Sequence, residues 1–152
     1  MKSIVECITT ETDFVIHREE ESKEITFTNS DYKLVCDIVE IEKCVFYKVV
    51  GGKRCDYLFL FDKNRQEYKF LDKSQAFYIE LKGEGELVKA AEQLFNSIEN
   101  TKDQTANFDI NAVVVSSREF NPKYDNNEFY RNVYRLIKKK IQFEVTPYTK
   151  IL

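Results

Sequence analysis

Tyr78-Ile79-Glu80-Leu81-Lys82 is the stretch whose reading decides the fold. Its alternation is that of a β-strand, in which successive side chains leave opposite faces. Phe77, Ile79 and Leu81 fall on one face, as a core side would, and Glu80 and Lys82 fall together on the other. Gly83 and an amphipathic helix follow at once. A carboxylate beside an ammonium in that setting is poorly explained by solvation alone. It suits the edge of a site that holds a divalent metal and a phosphate. The competing reading is a salt-bridged pair on an exposed face, which stabilises little.

Working outward, residues 55–61 (Cys-Asp-Tyr-Leu-Phe-Leu-Phe) and 44–50 (Cys-Val-Phe-Tyr-Lys-Val-Val) are β-branched and aromatic, and each predicts a strand. Gly51-Gly52 between them reads as a hairpin turn. Residues 62–74 are a charged excursion, and 76–82 form the third strand. Residues 84–100 predict a helix, with Leu87, Ala91, Leu94 and Ile98 in one apolar stripe. Residues 108–115 end in a continuous apolar run, which suggests a central strand covered on both faces. A second helix spans 126–140 with Phe129, Val133, Leu136 and Ile137 on its core side, and a strand over 142–146 is ended by Pro147. The order from residue 44 is β-β-β-α-β-α-β. It predicts the α/β (α+β) class, a mixed central sheet flanked by helices.

The first 43 residues are less readable. Residues 10–16 and 24–27 have strand-like patches, and Glu19-Glu20-Glu21 between them reads as a solvated turn or hairpin. Asn29-Ser30-Asp31 suits a cap for a short helix over 32–39, while a strand over 32–41 fits almost as well. The expected organisation is one domain over 1–152, with 1–43 an N-terminal extension packing on a core over 44–146.

Bulk composition agrees with one globular domain. The chain has 152 residues, 43% apolar and 32% charged, and its 12 Phe and 9 Tyr argue against disorder. No apolar run approaches the roughly 20 residues of a membrane helix, and the N-terminus lacks the apolar region of a signal peptide, so a cytoplasmic location is expected. Cys7, Cys36, Cys44 and Cys55 form no CxxC pair, and His17 is the single histidine. That argues against zinc, and the four cysteines are expected to be free, largely buried thiols. His17, beside Arg18, reads as a surface residue. A net charge of −3 is not the basic balance of a protein that holds nucleic acid by charge alone.

Two acidic positions stand out against this layout. Asp56 lies near the start of the second strand and Glu80 near the end of the third. If those strands pair antiparallel, the two carboxylates converge. Mg²⁺ prefers oxygen ligands and keeps several waters, so two carboxylates and the backbone carbonyl of Leu81 would suffice. Lys82 would orient or help deprotonate a water and neutralise phosphate charge. Asp56 could instead simply end a hairpin. Ser116-Ser117 could touch a phosphate, though serines at strand ends are common. The basic groups Lys53-Arg54, Arg131, Arg135 and Lys138-Lys139-Lys140 suit a nucleic-acid backbone or, equally, a solvated helix face.

Asp56, a spacer, Glu80-Leu81-Lys82 and a following helix with Ala90-Ala91-Glu92-Gln93-Leu94 together resemble the PD-(D/E)XK nuclease superfamily, the restriction-endonuclease-like fold, in its compact bacterial form. The resemblance covers roughly residues 44–146. It implies that Asp56 and Glu80 bind Mg²⁺ or Mn²⁺, that Lys82 serves the attacking water, and that Gln93 supports the site. A solvated helix face explains Gln93 almost as well. Cys55 stands where the motif name has a proline. Members often carry a further acidic residue before the first core strand, and Glu6, Glu11, Asp31, Asp37, Glu40 and Glu42 all compete for that place. The implied activity is hydrolysis of phosphodiesters, DNA foremost, by metal-activated water, as a homodimer or within a larger complex, in defence against foreign DNA or in repair. The alternative is a non-catalytic nuclease-like subunit that serves assembly or nucleic-acid binding.

Overall fold

The computed structural model describes residues 1–82, 87–118 and 127–152. Gly83, Glu84, Glu86, Asn126 and the side chain of Leu87, on which parts of the helix expectations rest, lie outside the described residues. The strands are β1 (Ile8–Asp13), β2 (Val15–Glu20), β3 (Lys23–Thr28), β4 (Leu34–Glu40), β5 (Tyr57–Phe61), β6 (Gln75–Lys82), β7 (Asp109–Ser116), β8 (Gln142–Val145) and β9 (Tyr148–Ile151). Helix α1 (Leu87–Thr101) joins β6 to β7, and α2 (Glu128–Ile137) lies between β7 and β8. A π-helical turn (Ile41–Val45) follows β4.

Six strands form one mixed sheet in the order β1-β4-β5-β6-β7-β8. The pairs on the β1 side, up to β5 with β6, are antiparallel, and β6-β7 and β7-β8 are parallel. Parallel neighbours need a crossover, which the α1 and α2 segments supply. A second sheet, β2-β3-β9, packs on the opposite face from the helices.

The strand alternation sorts the two cores. Leu58, Leu60, Ala76, Tyr78, Ala112 and Val114 face Ala91, Leu94 and Ile98 of α1 and Tyr130 and Val133 of α2. Phe59, Phe61, Phe77, Ile79, Leu81, Val113 and Val115 face Ile16, Ile25 and Phe27 of the small sheet. Phe27 anchors that second layer, with its ring centroid 4.8, 5.0 and 4.9 Å from those of Phe59, Phe61 and Phe77. The apolar run of β7 is therefore buried on both sides, as its sequence suggests. Helix α2 begins where the Asn127 side chain accepts from the Phe129 and Tyr130 amides. It stops at Ile137, short of the expected 140, because Lys138 turns left-handed at φ 59°.

The structure corrects the reading of residues 44–50 and of two of the cysteines. Residues 44–50 are not a strand. They are the end of the π-helical turn and an irregular loop, broken by positive φ at Lys48, Gly51 and Gly52. The strand that pairs with β5 is β4, in the register Val39 with Leu58. Of the two readings of this stretch the strand holds, over Leu34–Glu40. Asn29 does accept backbone hydrogen bonds from Asp31 and Tyr32, but these close a turn before β4. The division at residue 43 consequently falls between two hydrogen-bonded neighbours of one sheet. Finally, Cys7 and Cys44 form a disulfide, with Cα atoms 5.9 Å apart. Cys36 and Cys55 are free and buried, and burial pushes both thiols well above their usual range.

The acidic run does form a hairpin. Glu21 and Ser22 both take positive φ in the two-residue loop between β2 and β3, as a primed turn requires. Among the described residues no helix is long and apolar enough to cross a membrane.

Candidate active site

Antiparallel pairing of β5 with β6 matches Tyr57 to Ile79. One step further along that register, Asp56 stands opposite Glu80. Residues opposite each other share a face, with Cβ atoms about 4.5–5.5 Å apart. The ladder ends here because the Asp56 side chain replaces the backbone, its Oδ2 accepting from the Leu81 amide at 2.8 Å. A strand residue directs its N–H and C=O to the same edge. The Leu81 carbonyl therefore leaves β6 on the Asp56 side.

Alternation puts Glu80 and Lys82 on the helix-facing side, where both are buried. Lys82 Nζ donates to Gln93 Oε1 at 3.0 Å and stands 3.7 Å from Glu80 Oε1. Gln93, buried on α1, donates in turn from Nε2 to the Arg54 carbonyl at 3.3 Å. Gln93 thus couples the Lys82 ammonium to the backbone that leads into Asp56. Ser97, one turn on, accepts from the Cys55 amide and donates to the Gln93 carbonyl, both at 2.8 Å.

Asp56, Glu80, Leu81, Lys82 and Gln93 line a cavity of about 460 Å³ together with Glu20, Glu21, Glu42 and Lys53. Burial pushes the Asp56 carboxyl up to about 7, with Glu20 and Glu42 acting in the same direction and the Leu81 amide opposing them. Burial, then the Asp56 charge, push Glu80 up to about 9. Lys82 opposes this, but at 3.7 Å it lies beyond hydrogen-bond reach of Glu80, and the two upward causes win. Among the described residues, the buried Glu80 Oε2 has no hydrogen-bond partner.

An orphaned carboxylate oxygen among oxygen donors that cannot all ionise comfortably fits a hard divalent cation, whose charge would reverse these shifts. Asp56 and Glu80, with the Leu81 carbonyl, are the residues placed to hold one. Among the described residues the one trio of ligand atoms within 4.8 Å of one another is elsewhere, in His17, Glu19 and Glu24 on the exposed face of β2-β3. His17 is exposed there, as expected, with Nδ1 3.0 Å from Thr26 Oγ1.

The remaining basic residues are not gathered at the cleft. Lys53 lines it. Arg54 turns inward, its guanidinium 4.5 Å from the Phe46 ring centroid and its Nη1 donating to the Gly51 and Lys53 carbonyls. Lys139 pairs with Asp109 at 2.8 Å, at the start of β7, whereas Lys82 is paired in register with Ser116 at its end. Arg135, in the last turn of α2, and Lys138, its C-cap, share the Lys139 end. Arg131 is exposed on α2. The Ser116 hydroxyl donates to the Arg118 carbonyl at 2.7 Å.

Sequence reading missed Glu20 as a site residue and left Glu42 as one of six competitors. Glu42 reaches the cleft from the π-helical turn and Glu20 from the end of β2, where Lys43 holds it at 2.7 Å. No local pattern marks Glu20, since only the packing of the small sheet on the large one brings it there. No protein-family model, curated protein or solved structure matches the chain.

Proposed function

We propose that this protein is a nuclease that hydrolyses phosphodiester bonds, foremost of DNA, with Mg²⁺ or Mn²⁺ held by Asp56, Glu80 and the Leu81 carbonyl. The observation that carries the reading is the convergence of Asp56, Glu80, Lys82 and Gln93 on one cleft, with Glu80 Oε2 buried and without a hydrogen-bond partner among the described residues. A bound divalent ion would supply a Lewis acid and a water acidic enough to attack at neutral pH. Lys82, oriented by Gln93, would sit beside that water and offset negative charge on the phosphoryl oxygens. Asp56 and Glu80 would serve as fixed anions without taking up protons once the ion is present.

The run β4-β5-β6-α1-β7-α2-β8 supports assigning the restriction-endonuclease-like core, with β4 in the place first given to residues 44–50. Action as a homodimer or within a larger complex, and a role in defence or repair, belong to the same proposal. So does a cytoplasmic location, against which the Cys7–Cys44 bridge weighs. A second reading, a non-catalytic nuclease-like subunit, draws on the charge of the cleft. Glu20, Glu21, Glu42, Asp56 and Glu80 outnumber Lys53 and Lys82 there, and a phosphate would be repelled unless a cation intervened.

The test is incubation with plasmid, linear DNA and RNA in Mg²⁺, Mn²⁺ or EDTA, beside Glu80→Ala and Lys82→Ala. Metal-dependent cutting lost in both variants supports the nuclease. Cutting that survives both overturns the site. Inactivity on every substrate with no calorimetric Mn²⁺ binding favours the non-catalytic subunit.

A further inference from the structure

From Lys43 to Cys55 the chain carries Lys43, Lys48, Lys53 and Arg54 and no acidic residue, although acids outnumber Lys and Arg overall by 26 to 23. The end of this segment is pinned to α1 over three successive residues. Asn96 Nδ2 donates to the Lys53 carbonyl at 3.2 Å, Gln93 Nε2 to the Arg54 carbonyl at 3.3 Å, and the Cys55 amide to Ser97 Oγ at 2.8 Å. From inside, Arg54 braces the turn between buried Phe46 and the carbonyls of Gly51 and Lys53.

With both ends fixed, the tip holds apolar side chains in water. Tyr47 is 59% exposed and Val50 is 97% exposed, the latter with Gly51 next to it at φ 93°. Lys48 Nζ stands 5.3 Å from the Tyr47 ring centroid. Lys48 and Lys53 form no ion pair among the described residues, and Lys53 lines the cleft that holds Asp56, Glu80 and Lys82. A braced loop with one aromatic face, one apolar tip and unpaired cations of a single sign, on an otherwise acidic chain, is complementary to nucleic acid. Aromatic faces stack bases, and cations track phosphates.

We infer that residues 47–53 form a finger that engages the nucleic-acid strand next to the cleft. Tyr47 and Val50 meet base faces, and Lys48 and Lys53 meet the flanking phosphates. This rests on the nuclease reading for the identity of the strand, but its binding test does not depend on cutting.

The measurement is fluorescence anisotropy with a labelled single-stranded oligonucleotide in a Glu80→Gln background, across a salt series. Added Tyr47→Ala weakens binding about 5- to 150-fold, the range of one lost base stack, with an unchanged salt slope. Added Lys48→Ala or Lys53→Ala each lowers the slope of log K against log salt by about 0.7. All four residues face solvent, so melting curves of the variants should match the background. Affinity and slope unchanged in all three variants overturn the finger, as does a background that binds no nucleic acid at any salt. If the finger variants weaken binding while the native protein neither cuts nor binds Mn²⁺, the finger stands and the nuclease reading falls. If the native protein cuts and the variants bind like the background, the reverse holds.

Discussion

Replacing Glu80 with Gln is expected to stabilise the metal-free protein. Glu80 is 3% exposed, one of its oxygens has no hydrogen-bond partner among the described residues, and its carboxyl is pushed from 4.5 up to about 9. A carboxyl whose pKa is higher in the fold contributes stability that is present below the unfolded value and lost as pH rises through the folded one. At pH 7 the unfolded chain ionises freely while the fold holds the proton. The gap from 4.5 to pH 7, at about 1.36 kcal/mol per pH unit, amounts to about 3 kcal/mol. Gln keeps the shape and has no proton to give up. For a chain of 152 residues the gain corresponds to a rise in Tm of roughly 6–12 °C. Thermal melts of both proteins in EDTA at pH 5, 7 and 8.5 provide the check. The advantage of the variant should be small at pH 5 and grow with pH. Saturating Mn²⁺ should then favour the native protein alone, because a ligand stabilises only the state that binds it. A variant that melts below the native protein at pH 7, or a difference that ignores pH, would refute the reasoning.

Other outcomes follow from the same geometry. Mn²⁺ affinity by calorimetry should rise from pH 6 to pH 9, because Asp56 and Glu80 must lose protons to take up the ion; a flat profile would separate them from the metal. Ser97→Ala removes the acceptor of the buried Cys55 amide and should cost about 1–3 kcal/mol in chemical denaturation while weakening Mn²⁺ binding; lost stability with unchanged affinity would make Ser97 structural only. Reducing the Cys7–Cys44 bridge, which spans 37 residues, should lower stability by about 4 kcal/mol, and Cys7→Ser should make the protein indifferent to reductant.

Much of this architecture is legible in the chain because single periodicities dominate. The alternation of 75–82, the stripe of Ala91, Leu94 and Ile98, and the apolar run of 112–115 each allow one burial pattern. The pairing of Asp56 with Glu80 across a meander is legible for the same reason. The error over residues 44–50 has a physical source. That stretch is as β-branched as β4, but its Cys44 is tied to Cys7 and its Lys48 turns left-handed, and neither long-range bond nor dihedral is written in composition. The disulfide itself joins two cysteines that share no motif. Glu20 escaped because an acidic run in a tight turn looks solvated until a second sheet lies against the first.

The Cys7–Cys44 bond also divides the chain in a way the sheets do not. It closes a covalent ring around β1 to β4. Glu20, Glu21 and Glu42 lie on that ring, whereas Asp56, Glu80, Lys82 and Gln93 all lie outside it. The cleft is therefore a seam between a covalently closed segment and the open remainder of one polypeptide. Any partial opening along that seam withdraws three carboxylates together and leaves the Asp56–Glu80–Lys82 group whole. The acidity of the cleft is in this sense a wall carried on a covalently closed loop of the chain.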